Sequence, residues 1–185
     1  MIRAARLVAV ALPLAGLAML WGMSDRTYHT GTEWEVPIQG YDPRDYLRGH
    51  YVAFTYDWPG VDELRDTPPT TLCLEGAAPV IAGVTPAGAD AVCAHPLRAE
   101  RSAMRGWDAL WRGRLFIGQD RAAALEEQLR NRDQRGIVTI RQREDGSFTP
   151  IAIRFRPLTP AEIAERDAES ERAEDTRPPP AIMSQ

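Results

Sequence analysis

The segments Ile137-Val-Thr-Ile-Arg-Gln142 and Ser147-Phe-Thr-Pro-Ile-Ala-Ile-Arg-Phe155, separated by Arg143-Glu-Asp-Gly146, decide the fold class. The first is rich in β-branched residues, and every second residue from Ile151 to Phe155 is apolar. A two-residue period of this kind is typical of a half-buried strand. The separating segment has turn chemistry, because Gly146 adopts a positive φ at little cost. The sequence therefore predicts an antiparallel hairpin, and with it a β-rich domain.

A further strand is predicted near the N-terminus. Trp34, Val36 and Ile38 alternate with glutamate and proline, so their side chains are expected to share one buried face. Pro37 lies between two of them and cannot donate a ladder hydrogen bond. We therefore expect this strand at an edge of the sheet.

The central part of the chain carries more strand patterns. Tyr51-Val-Ala-Phe-Thr-Tyr56 is rich in β-branched and aromatic residues, which favour strands. Its alternation predicts that Val52, Phe54 and Tyr56 lie on one face. Shorter strands are predicted at Thr70–Leu74, Val80–Val84 and Arg114–Ile117.

Two helices accompany these strands. Asp120 is a suitable N-cap for a helix that extends to Arg130. Thr159-Pro-Ala-Glu162 is a capping box with proline at the first helical position, and it predicts a second helix. Residues 159–185 thus form an acidic C-terminal helix followed by a tail that we expect to be disordered.

The N-terminus carries an apolar run. Arg3 and Arg6 precede 17 uncharged residues, Leu7–Met23, which as a helix would extend roughly 26 Å and end near Trp21. Arginines on one side and an interfacial tryptophan on the other predict a single-pass anchor at residues 1–23, with the remainder outside the cytoplasm. The alternative is a cleaved signal peptide, which exports the same domain. Residues 24–31 are polar and are predicted to be a juxtamembrane connector.

The predicted fold class follows from these elements. It is a β-rich α+β protein with an N-terminal transmembrane helix, a small and mainly antiparallel β domain at residues 32–158, and one or two helices. The two cysteines, Cys73 and Cys93, fit an oxidising periplasm, where they are expected to form a disulfide. Two separate buried thiols are the alternative.

Charge and composition exclude some functions. The formal net charge is −4, and the segment from Thr159 onward accounts for it with seven acidic residues and three arginines. The rest of the chain has no basic excess to displace counterions from phosphates, so nucleic acid is not an expected partner. The chain contains no lysine, which excludes a Schiff-base lysine and a Ser/Lys dyad.

The segment Gly49-His-Tyr-Val-Ala-Phe-Thr-Tyr-Asp-Trp-Pro59 resembles the signature of the GDYXXLXXXXP family of small membrane-anchored bacterial proteins. Gly49, Tyr51 and Pro59 match in type and spacing. His50 stands where the family has aspartate, and Phe54 stands where it has leucine. The resemblance covers most of residues 32–156. It implies one helix and an exported β-rich domain, often associated with polytopic membrane proteins, without an activity established for the class.

Charged residues beside this motif are candidates for contact with a partner or ligand. They are Asp42, Arg44, Asp45 and Arg48, and the alternative is an ion-pair network that fixes a turn. The three histidines share no metal-ligand spacing and are expected at the surface. Trp107 and Trp111, four residues apart, belong either to an interaction patch or to the core.

These observations predict a non-catalytic, membrane-tethered module in the periplasm, bound to the bacterial inner membrane. Its expected partner is a polytopic membrane protein with which it interacts or assembles. Two alternatives remain open, a binding module for a small anionic envelope ligand and an unrecognised envelope hydrolase. The sequence predicts no catalytic residues, no cofactor and no metal site.

Overall fold

The computed structural model of the chain describes residues 2–42, 51–60, 69–88, 92–99 and 110–175. In these residues the secondary structure elements follow one another as α1 (Ile2–His29), β1 (Thr32–Asp42), β2 (Tyr51–Tyr56), β3 (Thr71–Ala77), β4 (Val80–Pro86), β5 (Pro96–Arg98), β6 (Arg112–Phe116), α2 (Gln119–Arg130), β7 (Gln134–Gln142), β8 (Phe148–Pro157) and α3 (Pro160–Asp175). The predicted β-rich α+β class is confirmed.

The eight strands that the described residues form belong to one mixed sheet, in which β1 pairs with three other strands. The strand order is β5-β3-β4-β1-β2-β6, and β7 joins at β1 and continues to β8. β1 pairs antiparallel with β7 and β2 and makes one parallel pair with β4, between Glu35 and Val80. The remaining pairings, β2–β6, β3–β4, β3–β5 and β7–β8, are antiparallel.

The prediction that Pro37 places its strand at an edge is wrong. β1 pairs with β7 through Pro37 and with β2 from Ile38 onward, so proline lies where β1 changes partner. The Glu35 amide donates to Pro79 O at 2.8 Å, and Pro37 O accepts from the Asp57 amide at 2.9 Å, both on the side away from β7. Residues two apart point their backbone groups to the same side. The missing N–H of Pro37 therefore leaves the β1–β7 ladder intact.

The core contains the predicted faces of β1 and β2. Trp34 and Val36 are fully buried, and Ile38 is 2% exposed, which confirms their common orientation. Trp58 is also buried, and its indole Nε1 donates to Leu110 O at 2.6 Å. Trp111 is half-buried and packs against the core, so of its two alternatives the structure favours core packing. Trp107 lies outside the described residues.

The predicted hairpin is confirmed as β7 and β8. Its turn is closed by hydrogen bonds from the Arg143 amide to Ser147 O and from the Gly146 amide to Arg143 O, each 2.9 Å. Gly146 has φ +84°, as expected. β5 has no counterpart in the prediction, because its three residues are too few to show a period.

Cys73 and Cys93 form a disulfide, with the sulfur atoms at bonding distance. Cys73 belongs to β3 and pairs with Pro96 of β5. The bond therefore fixes Cys93, three residues before β5, to β3.

The N-cap predicted for α2 is wrong. The cap is Gly118, in extended conformation and without a side-chain cap hydrogen bond, so Asp120 lies inside the helix. β6 ends at Phe116, and two residues later Gly118 O accepts a hydrogen bond of 3.0 Å from the Arg121 amide, which closes the first turn of α2. The start of α2 is thus set by where the strand ends and not by a capping side chain.

The capping box predicted for α3 is confirmed. The Thr159 amide donates to the Glu162 carboxylate at 2.8 Å, and the Glu162 amide donates to Thr159 Oγ1 at 3.3 Å. Arg156 of β8 donates to both oxygens of the same carboxylate, at 2.6 and 2.7 Å. These hydrogen bonds, chiefly those from Arg156, lower the pKa of Glu162 from its ordinary value to about 2. The apolar residue Ile163 is 40% exposed, so α3 is held to the sheet by polar contacts.

We expect Glu162→Gln to lower the free energy of opening of α3 by about 1 kcal/mol at neutral pH, because it removes the ion pair with Arg156 while glutamine can keep the capping hydrogen bond. A carboxylate whose pKa is lowered on folding stabilises the fold fully when the pH is above its pKa in the unfolded chain. This stabilisation is lost as the pH falls through its pKa in the folded protein. The difference between wild type and variant should shrink as the pH falls from about 4.5 towards about 2. Hydrogen exchange of the α3 amides measures the free energy of opening of α3 in the wild type and in the variant. Glu165→Gln, an exposed site on the same helix, is the control, and an equal effect there would contradict the assignment.

α1 continues through the residues expected to form a connector and ends at His29. Thr27 Oγ1 donates to Met23 O at 2.9 Å and Thr30 Oγ1 donates to Arg26 O at 2.7 Å, so polar side chains are satisfied along the helix itself. In the part of the chain that the structure describes, no helix combines the length and apolarity needed to cross a membrane. The predicted N-terminal segment is therefore confirmed as a helix but not as a membrane span.

Candidate interaction surface around the motif strand

The motif strand β2 lies inside the sheet, between β1 and β6. Ala53 pairs with Asp42 of β1 on one side and with Arg114 of β6 on the other. Phe54 is 2% exposed, whereas Tyr51 is half-buried on the opposite face. The prediction that Val52, Phe54 and Tyr56 share one face is confirmed, since all three are buried.

The buried face of β2 is an aromatic stack. Phe54 contacts Tyr56 edge to face, with ring centroids 5.2 Å apart, and Tyr56 stacks on Trp58 at 5.0 Å. Gly113 lies opposite Phe54, and a Cβ there would fall 2.3 Å from the Phe54 ring and 2.7 Å from the Tyr56 hydroxyl. Glycine is thus required for the ring to fit. Burial raises the pKa of Tyr56 above its ordinary value, so the phenol stays neutral and acts in packing.

The motif ends in a turn that ties β2 to its neighbours. Gly60 has φ +80°, which favours glycine, and Pro59 O accepts a hydrogen bond from the Val84 amide at 3.1 Å. The Asp57 carboxylate pairs with Arg135 of β7. β2 ends at Tyr56, and the Pro59 carbonyl in the following turn connects the motif to β4.

The exposed side of β2 carries what we call the aromatic surface, formed by Tyr51, Arg114 and Phe116. The two rings lie 6.1 Å apart at a tilted angle, and the Arg114 guanidinium carbon is 5.6 Å from the Tyr51 ring centroid. Phe116 is 72% exposed. An exposed aromatic side chain flanked by an arginine is typical of protein interaction sites.

The base of α1 is attached to the β7–β8 hairpin. Arg141 donates to Tyr28 O, and its guanidinium lies 5.5 Å from the Tyr28 ring centroid. Arg143 Nε donates to Thr27 O at 3.0 Å. Cations at a helix C-terminus satisfy its last carbonyls and interact favourably with its dipole. Two arginines thus fix the end of α1 to the domain.

Several predicted residues fall outside the described residues, so their roles stay predictions. These are the motif residues Gly49 and His50 and the candidate contact residues Arg44, Asp45 and Arg48. Asp42 is described as part of the β1 backbone only.

The histidines have structural neighbours. His29 lies 3.5 Å from the Asp25 carboxylate on α1, and His95 packs edge-on against Trp34 with ring centroids 5.0 Å apart. Within the described residues there is no group of three or more His, Cys, Asp or Glu side chains that could hold a metal ion.

A helix attached by two arginines to a β-rich mixed sheet, with a tyrosine-bearing motif strand between β1 and β6, defines the class of this protein. The family model described as GDYXXLXY protein matches residues 13–153. The chain therefore belongs to the GDYXXLXY family, and the resemblance found in the sequence is confirmed. Comparison with curated proteins gave no match, and neither did comparison with solved structures.

The family name also identifies a motif position that the sequence analysis missed. Aligned on Tyr51, its final tyrosine falls on Tyr56, which was predicted only as a strand residue. The signal was present, since Tyr56 follows Phe54 by the two-residue period. The matched range begins at Pro13, so it takes in part of α1, whereas the resemblance was drawn only from residue 32.

Proposed function

We propose that this protein is a non-catalytic interaction module tethered to the bacterial inner membrane by α1, with its β-rich domain in the periplasm. The observation that carries the proposal is the exposure of α1. Its large apolar side chains are 59–73% exposed, and they are Val10, Leu12, Leu14, Leu17, Met19, Leu20, Trp21 and Met23. Moving a side chain of this kind out of water into an apolar environment is favourable by roughly 1.5–3 kcal/mol.

The arrangement of these side chains favours lipid over a protein groove. Val10, Leu14, Leu17 and Trp21 follow helical spacing along one side of α1, and Leu12 and Met19 lie on the other. A helix that docks on a protein has one apolar stripe, whereas one that is apolar all round is buried on every side. In the full sequence the uncharged run extends from Leu7 to Met23. The exposure of its side chains is described from Ala9 onward.

Two other features support the proposal. The disulfide fits an oxidising compartment, and Arg3 and Arg6 fit the cytoplasmic end of the helix. The attachment of Arg141 and Arg143 to the last turn of α1 would hold the domain close to the membrane surface. The aromatic surface is then the site offered to a polytopic membrane protein.

We expect the wild-type chain to stay in the membrane fraction after alkaline carbonate washing and to be released by detergent. The variant Leu14→Arg with Leu17→Arg should move largely to the soluble fraction, because each arginine near a helix centre opposes insertion by about 2.5–3.5 kcal/mol. Ala124→Arg with Gln128→Arg adds the same charge to exposed positions of α2 and serves as the control. Wild-type protein found in the soluble fraction would contradict the tether.

Sidedness is tested separately by adding protease to spheroplasts. The β-rich domain should be digested in intact spheroplasts, and protection there would contradict a periplasmic location.

A photo-crosslinking residue at position 116, compared with one at exposed position 152 of β8, tests the partner surface. Crosslinking at both positions alike, or at neither, would contradict the role of the aromatic surface.

A further inference from the structure

A concave region of about 500 Å³ lies beside the base of α1, and we call it the arginine pocket. Its lining includes Arg98 of β5, Arg112 and Arg114 of β6 and Arg143 of the β7–β8 turn. Thr27 of α1 also contributes to it. Three segments that are distant in sequence thus place four arginines around one concavity.

We propose that the arginine pocket binds the phosphate group of an organic anion. Its lining holds four arginines and one carboxylate, that of Asp145. Asp145 already accepts hydrogen bonds from the Ser147 hydroxyl at 2.7 Å and amide at 2.8 Å, and these lower its pKa. Even without counting Arg112, the three arginines Arg98, Arg114 and Arg143 outnumber this one carboxylate, and a bound anion would neutralise the excess positive charge.

Several arginines outside the pocket differ from three of those that line it, because they have carboxylate partners. Five arginines elsewhere in the sheet and in α3 pair with carboxylates, and they are Arg135, Arg141, Arg154, Arg156 and Arg166. Among the described residues, Arg98, Arg114 and Arg143 have no carboxylate within ion-pair distance. Like charges brought together without a counter-charge repel each other, and a bound anion removes that repulsion.

The pocket also has donors in fixed positions. Arg143 is held by Thr27 O and by the hydroxyls of Ser147 and Thr149, the latter two at 3.3 and 3.1 Å. The backbone of Arg98 is held too, because its amide donates to Gly146 O at 2.9 Å. Donors that are ordered before the ligand arrives lose less entropy on binding.

The chemistry of the lining identifies the class of ligand. Guanidinium groups match phosphate oxygens in paired, charge-assisted hydrogen bonds. Tyr56, Phe148 and Pro150 give the same pocket an apolar part, which suits an organic body next to the phosphate. The phosphate can belong to a soluble phosphomonoester or to the headgroup of an anionic lipid, since the pocket adjoins the end of α1. The site itself does not require α1 to enter a membrane.

The test uses the full chain in neutral detergent. Titration calorimetry with phenyl phosphate measures the soluble source. The shift of the thermal midpoint in micelles containing phosphatidylglycerol, relative to phosphatidylcholine, measures the lipid source. Arg98→Gln with Arg114→Gln should weaken binding about tenfold or more for each arginine. Arg121→Gln with Arg132→Gln removes the same charge outside the pocket and should leave binding unchanged.

A response to phenyl phosphate that the pocket variant loses supports the soluble source, and a response confined to phosphatidylglycerol supports the lipid source. Absence of both responses, or an equal loss in the control, overturns the proposal. Arg98→Lys with Arg114→Lys keeps the charge and should bind more weakly than wild type but more tightly than the glutamine variant. This comparison remains decisive if the glutamine variant folds poorly. Neither outcome depends on where the protein resides, so the tether proposal can fail independently.

Discussion

Phe54→Ala is expected to lower the free energy of unfolding by about 3–5 kcal/mol, the usual loss when a buried aromatic ring is truncated to a methyl group. Phe54 is 2% exposed and packs on Tyr56 and over Gly113. The cavity cannot close from the side of Gly113, since glycine has no side chain to move into it. Chemical denaturation measures the loss.

Phe54→Leu is the matched control, because leucine is the residue of the family pattern at this position. It keeps most of the buried apolar volume, and we expect it to lower the free energy of unfolding by about 1 kcal/mol. If Phe54→Ala lowered the free energy of unfolding by less than about 1 kcal/mol, or if both variants lowered it equally, the place of this ring in the core would be contradicted.

Loss of the disulfide is the second large effect. Replacing Cys73 and Cys93 together by serine should lower the free energy of unfolding by about 3 kcal/mol, because the bond closes a loop with a sequence separation of 20 and restricts the unfolded chain. The same loss should follow when wild-type protein is treated with a reductant. The comparison is made by chemical denaturation with and without reductant.

The serine variant provides the control in that experiment, since a reductant should leave its stability unchanged. Cys73→Ala with Cys93→Ala separates the loss of the bond from the introduction of hydroxyl groups into a half-buried site. Wild-type protein that is equally stable in its oxidised and reduced forms would show that the bond does not stabilise the fold.

Local patterns account for what the sequence predicted correctly. The side-chain alternation in β1, β2 and β8 depends on residues two positions apart, and the capping box of α3 depends on Thr159 and Glu162, three positions apart. In each case the interacting groups are neighbours along the chain. Such features are visible in any single sequence, and they were enough to establish a β-rich α+β protein and the buried side of its motif.

The candidate site was predicted less well because its contacts are long-range. Arg143 was expected only beside a turn, and nothing in its surroundings along the chain indicates the Thr27 carbonyl to which it donates. Likewise, Arg98 and Arg114 belong to different strands that do not pair with each other. Their convergence follows from the strand order and not from spacing.

The sequence by itself determined which side chains are apolar, how they alternate, where one helix begins and which two cysteines are present to pair. Only the tertiary structure decided that β1 pairs with three other strands, that Pro37 leaves its ladder intact and that four arginines share one pocket. Alternation specifies which face of a strand is buried but not which strand covers it. Strand pairing is decided by the packing of all the faces together, and this is a property of the whole chain.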